Sequence, residues 1–216
     1  MVAVGDATWI HGSWMLVIRD PHAKENVYEK ELSSETTSAY QIARRTLAMQ
    51  GIHFIAFVGD GRLATSFVFS DIPIQMCHFH QIQIAIRYLT RKPELPAGQE
   101  LLTLIYTLPT NDKASFTDAF RLWCRTWADF LKEKSVNPAT GRSSYTHRRL
   151  RSARASIAEH LDNLFTFQDY PDLHIPNTTN SLDGSFKKLK LALGVHAGLS
   201  RTRKRKLVSS LLRAHE

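Results

Sequence analysis

The spacing of apolar and polar positions divides the chain into two regimes. Val2 to Ile10 (VAVGDATWI) and Ser13 to Asp20 (SWMLVIRD) are rich in strand formers, and His11-Gly12 between them predicts a tight hairpin. Asp20-Pro21 marks a turn, and Asn26 to Leu32 alternates loosely as a third, antiparallel strand. Ser33 and Ser34 suit the cap of a helix running from about Glu35 to Gln50, ended by Gly51. Its apolar positions Ala39, Ile42, Ala43 and Leu47 share one face. Ile52 to Val58 is a near-continuous apolar run, the pattern of a central strand buried on both faces. A short helix over Leu63 to Phe69, a fifth strand over Ile72 to Phe79 and a helix up to Thr90 follow. The order β-β-β-α-β-α-β-α predicts an α/β fold, a mixed five-stranded sheet with flanking helices.

The two prolines of RKPELPAG (Arg91 to Gly98) break this pattern, and beyond them the period is helical. Phe116, Phe120, Trp123, Trp127 and Phe130 predict one amphipathic helix. Leu150, Ala153, Ile157, Leu161 and Leu164 predict another, with a turn at NPATG (Asn137 to Gly141) between them. The expected organisation is a core in two parts, 1–90 and 173–216, interrupted by an all-helical insertion over 91–172.

Composition narrows the class. With 43% hydrophobic residues the chain can build a packed core. A net charge of +8 and a pI near 9.7 favour a polyanionic partner, most simply nucleic acid. Two cysteines, Cys77 and Cys124, offer no disulfide framework and fit a reducing compartment. No apolar segment is long enough for a membrane span. Basic residues cluster in Gly141 to Arg154 (GRSSYTHRRLRSAR) and in Arg201 to Lys206 (RTRKRK). In the first, Arg142, His147, Arg148, Arg149, Arg151 and Arg154, with Tyr145 beside them, read as a phosphate-contacting surface or as a solvated helix face. The second reads equally as a solvated tail or a DNA clamp.

Three aspartates occupy telling places. Asp6 interrupts an apolar strand, which suits either a solvent-facing position or a carboxylate that meets cations or donors. Asp60 follows the most buried strand between two glycines, good turn chemistry but also the carboxyl end of a strand, where sites form. Asp183 sits three residues after Asn180, as in a capping box, and four before Lys187. The first and fourth strands can lie side by side, which would make Asp6 and Asp60 neighbours. The last helix can bring Asp183 to the same end. Three such carboxylates repel one another unless divalent cations sit among them. Magnesium suits an all-oxygen site, and two ions about 3.5–4 Å apart can hold both the attacking and leaving oxygens of a phosphoryl transfer.

GDATW around Asp6, VGDGR around Asp60, CHFHQ from Cys77 to Gln81, SSYTHRRLRSA and IPNTTNSLDGSFKKLK around Asp183 together resemble the DDE/DDD transposases of bacterial insertion sequences, within the mutator-like superfamily. The resemblance covers essentially the whole chain, and the last motif is its most specific part. It implies a ribonuclease H-like catalytic domain with an all-helical insertion before the last catalytic residue. It implies Asp6, Asp60 and Asp183 as catalytic ligands of two Mg²⁺ or Mn²⁺ ions. Most relatives carry glutamate at the third position; aspartate offers the same ligand chemistry at shorter reach. Cys77 and His80 match the family's Cys-x-x-His signature. Two such residues do not make a tetrahedral zinc site, and the bland alternative is a buried cysteine beside a helix-start histidine. Asn180 falls in the motif around Asp183, and Lys187 and Lys190 follow it as DNA contacts.

The resemblance implies double-stranded DNA as partner, both transposon ends and target, and a homodimer or larger assembly holding two ends together. It places the protein in a prokaryotic cytoplasm, associated with the nucleoid. Family members usually carry a DNA-binding region ahead of the first catalytic strand, so this chain is expected to be a truncated copy or a catalytic fragment. Two other expectations stand beside metal-dependent cleavage and strand transfer. One is a DNA-binding remnant without catalysis; the other is a nuclease of the same fold that only hydrolyses.

Overall fold

The computed structural model describes residues 1–10 and 12–213; the side chains of Leu63, Ala64, Asp183, Arg201 and Arg213 lie outside the description. β1 (Val2–Ile10) and β2 (Ser13–Asp20) form the predicted antiparallel hairpin, with Asp6 opposite Val17. β3 (Glu25–Leu32) adds to β2, antiparallel. After helix α1 (Thr37–Met49) the chain returns as β4 (Ala56–Gly59), parallel to β1 on its other side. Helix α2 (Leu63–Val68) leads to β5 (Ile74–Met76), parallel to β4. The sheet order is β3-β2-β1-β4-β5, mixed and five-stranded, the order of a ribonuclease H-like sheet.

Period-two alternation sorts the sheet into two faces. Val2, Val4, Ala56 and Val58 point to one side. Ala3, Ala7, Leu16 and Phe57 point to the other, where α1 packs through Ala39, Tyr40, Ala43 and Leu47. Phe57 stacks on Phe69 there at 3.9 Å. The first face is covered by α8 (Asn180–Val195) and α9 (Arg201–Arg213). Leu182, Phe186, Leu189 and Leu193 of α8 are all buried against it. At roughly 1.5–3 kcal/mol each, four such side chains fix the seat of α8 far more firmly than any surface ion pair could.

Several boundaries differ from expectation. α1 is capped by Thr36, whose Oγ1 accepts the Ala39 N–H at 3.3 Å, and not by Ser33 or Ser34. The apolar run from Ile52 contributes only its last part to the sheet, because the Ile52 N–H closes α1 on the Leu47 carbonyl. β5 stops at Met76, where Cys77 turns its N–H to the Gly59 carbonyl and α3 (His78–Leu89) begins.

The insertion holds α4 (Pro96–Tyr106), α5 (Lys113–Thr126), α6 (Arg148–His160) and the short α7 (Thr166–Asp169), joined to α3 around one apolar cluster. It is not all-helical. β6 (Lys134–Val136) and β7 (Ser143–Tyr145) pair as a hairpin about the NPATG turn. Asn137 Oδ1 accepts the N–H groups of Ala139 and Thr140, and Gly141 takes a positive φ of 66°. Those contacts stabilise a turn, and the Ser, Val and Tyr residues beside it favour extended backbone over helix. The aromatic stripe also divides: α5 ends at Thr126, and Phe130 lies in a separate 3₁₀ turn.

The insertion seals the sheet edge. Gln75, fully buried in β5, donates to the Leu164 carbonyl at 2.8 Å and accepts the Phe167 N–H at 3.0 Å. Thr166 Oγ1 donates to the Ile74 carbonyl at 2.7 Å. Polar groups that an edge strand would leave open are thereby satisfied within the chain. Among the described residues no helix is long and apolar enough to cross a membrane.

Candidate active site at the carboxyl ends of β1 and β4

The parallel register aligns Val4 of β1 with Val58 of β4. Asp6 stands two residues further along β1, and Asp60 follows directly on the end of β4, so the parallel register sets both toward the carboxyl ends of adjacent strands. The sheet thus brings together two aspartates that sequence alone could only suggest were neighbours. Asp6 Oδ1 accepts the Ala7 N–H at 2.8 Å. Asp60 Oδ1 accepts the Arg62 N–H at 3.1 Å, and its Oδ2 meets Arg62 Nε at 2.7 Å. Gly61 permits that turn with φ of 79°; a Cβ there would stand 2.3 Å from Met76 Sδ. His160 of α6 closes the loop from outside, with Nε2 3.2 Å from the Gly61 carbonyl and Nδ1 2.8 Å from Gln81 Oε1.

α8 crosses the same face. Lys187 and Lys190 line a cleft of about 400 Å³ together with Asp6, Thr8, Phe186 and Leu191. Asp183 stands one turn before Lys187 on this helix; its side chain is outside the description. The helix is capped one residue earlier than expected, at Thr179, and Asn180 is its exposed first residue. The Asn180–Asp183 capping box therefore has the wrong spacing.

Cys77 anchors this helix start. Its Sγ accepts the Thr179 N–H at 3.3 Å and lies 3.4 Å from Thr179 Oγ1. The neighbouring His78 N–H donates to the Asn177 carbonyl at 2.9 Å. The motif thus joins β4, β5 and α8: Cys77 N–H holds Gly59, while Cys77 Sγ holds Thr179. His78 is buried between Phe165 and Phe167, with Nε2 2.6 Å from the Leu164 carbonyl. Burial there pushes its pKa down.

His80 reports the electrostatics of the site. Burial disfavours its charge, but hydrogen bonding to Cys77 and the charges of Cys77, Asp6 and Asp60 prevail and raise its pKa to about 9. Burial pushes the Cys77 thiol up, yet the bond and charge of His80 and the Thr179 hydroxyl bring it below the usual thiol range.

Two residues linked to Asp60 through Arg62 had no signal in the sequence. Glu35, its side chain 4% exposed, binds the far end of the Arg62 guanidinium. Tyr40 donates to Glu35 Oε1 at 2.6 Å. Burial raises the Glu35 pKa despite the Tyr40 bond and the Arg62 charge. Burial, and then Glu35, raise that of Tyr40, which stays a hydrogen-bond donor. Arg62 therefore bridges Asp60 and Glu35. It was legible only as the last letter of GDGR.

The basic residues of the insertion lie elsewhere, on the hairpin and the first turns of α6. Arg142 and Arg148 are exposed. His147 stacks on Phe130 at 3.7 Å and meets Glu133 at 2.9 Å. Arg149 donates to the Arg87 carbonyl, and Arg151 donates to the Leu131 carbonyl while covering the Tyr145 ring at 3.6 Å. Arg154 is half-buried, its charge felt by Cys124. Much of this cluster is occupied in holding the insertion together.

Among the described residues no three His, Cys, Asp or Glu side chains form a metal-binding group. The two aspartates suit hard, oxygen-seeking cations in kind. Compared with known proteins, the chain matches no family model and no curated protein sequence.

Proposed function

We propose that this chain is the catalytic region of a DDE/DDD transposase that cleaves DNA and transfers strands at a single carboxylate site. The observation that carries the reading is the parallel register that sets Asp6 and Asp60 toward the carboxyl ends of adjacent strands, with Asp6 in the cleft beside the helix that bears Asp183. The sheet order and the resemblance of the motifs support it.

Asp6, Asp60 and Asp183 would hold the ions through oxygen. Mg²⁺ or Mn²⁺ bound there would supply Lewis-acid activation of a water or a DNA 3′-hydroxyl and stabilise the leaving oxygen. Arg62 bridges Asp60 and Glu35, so the guanidinium keeps a carboxylate partner if it yields Asp60 Oδ2 to a ligand. Lys187 and Lys190 stand beside Asp6 where a scissile phosphate would lie. The reaction cuts a phosphodiester at the transposon end, frees a 3′-hydroxyl and directs it against target DNA, with no covalent bond to the protein.

The test is cleavage and joining of terminal-repeat duplexes in Mg²⁺. Asp60→Asn should abolish both steps; a variant as active as the parent refutes the reading. A second reading, a DNA-binding remnant without catalysis, is favoured by the Arg62–Asp60 pair, since an internal cation already neutralises that aspartate. It requires DNA binding that ignores metal and survives replacement of all three aspartates. A purely hydrolytic nuclease would cleave without joining.

A further inference from the structure

The protein's excess positive charge is not spread over its surface. Residues 1–179 carry nineteen lysines and arginines against eighteen acidic residues. Residues 180–213 carry nine against one, Asp183. Nearly the entire +8 thus resides on α8, α9 and their short connection.

The two helices pack against each other, and α9 lies over β3. α9 buries Val208 and Leu212 against the sheet. Asn26 donates to the Leu212 carbonyl at 2.6 Å, Ser209 donates to Glu29 at 2.5 Å, and Arg205 pairs with Glu31 at 2.5 Å. RTRKRK is therefore the start of a docked helix. Helical spacing turns Arg203 and Lys206, both exposed, away from the buried side. On α8, Lys187 and Lys190 line the cleft beside Asp6.

We infer that α8 and α9 together form the track on which this chain grips duplex DNA, with Arg203 and Lys206 as phosphate contacts that do not line the cleft. This rests on the reading of the partner as DNA. The positive charges lie close enough to repel one another within a Debye length of about 8 Å, which a polyanion relieves. Duplex DNA, with one charge per about 1.7 Å of axis, supplies the matching density. An anionic membrane is a poorer fit, because the main apolar positions of α9 are already buried in the sheet.

The test is binding of the full chain to a labelled 40-bp duplex of arbitrary sequence, by anisotropy in EDTA at several KCl concentrations. The slope of log K against log salt should fall by roughly 0.9 for each of Arg203→Gln and Lys206→Gln, and by about twice that in the double variant. The control Arg91→Gln/Lys92→Gln removes two exposed charges from the insertion and should leave the slope nearly unchanged. Unchanged slopes in the α9 variants, an equal loss in the control, or tighter binding to single-stranded RNA than to the duplex would each overturn the inference. Thermal melts separate these outcomes from misfolding, and the single variants at exposed positions stand if the double variant fails to fold. EDTA removes catalysis from the readout. A chain that binds through α9 but never cleaves sustains this inference while sinking the transposase reading.

Discussion

Gly61→Ala is the sharpest probe of the Asp60 loop. The new Cβ meets two separate penalties. At φ of 79° an alanine sits in the left-handed region, which costs about 1–2 kcal/mol. The same Cβ would also stand 2.3 Å from Met76 Sδ and 3.0 Å from His160 Nε2, an overlap that costs about 1–3 kcal/mol to relieve. Gly141→Ala isolates the first penalty: its φ is 66°, and nothing lies within 4 Å of the added Cβ. For a chain of this length each kcal/mol lowers Tm by about 2–4 °C. Gly61→Ala should therefore melt about 2–12 °C below Gly141→Ala when both are followed by circular dichroism. Equal melting temperatures would show that Met76 and His160 do not press on Gly61, and that the insertion does not brace the Asp60 loop.

Two further outcomes follow from charge. The His80 ring should titrate at about 9 by NMR, and Asp6→Asn and Asp60→Asn should each lower that value, since both carboxylates help to raise it; an unmoved titration would mean the aspartates do not flank the ring. Asp71 forms a two-pronged pair with Arg44, both N–O distances 2.6 Å, which lowers its pKa. A depressed carboxylate stabilises the fold above its unfolded pKa and loses that contribution as pH falls through its folded value. Asp71→Asn should accordingly cost up to about 1 kcal/mol at pH 7, the limit for an exposed pair, and nothing near pH 2. A cost that is the same at both pH values would refute the ion-pair account.

The local pattern carried the sheet a long way. The strand formers concentrated in Val2–Ile10 and Ser13–Asp20 and the apolar run ending at Val58 were enough to place three strands, because strands buried on both faces read as runs of such residues. The hairpin at Lys134–Tyr145 escaped because six paired residues, all but one exposed, leave no apolar stripe. His78 and Gln81 also escaped: they are polar yet fully buried, with His78 Nε2 and the Gln81 amide met by backbone and side chains remote in sequence. The cap of α8 shifted to Thr179 because Cys77, a hundred residues away, holds that residue's N–H.

What the sequence by itself determined was the set of elements and the chemistry available to them: strand, helix, three aspartates and a basic surplus. Each depends on neighbours within a turn or two of chain, where spacing and propensity act. Tertiary structure decided which of those residues meet. Asp6 comes near Asp60 only because β4 docks parallel to β1, and Asp60 is linked to Glu35 only because Arg62 spans the gap between a strand end and the start of α1. It also divided the basic residues, committing Arg149 and Arg151 to carbonyls of the insertion and leaving Arg203 and Lys206 exposed to solvent. Which cations remain open to a partner depends on hydrogen bonds closed between distant segments, and local sequence does not encode those.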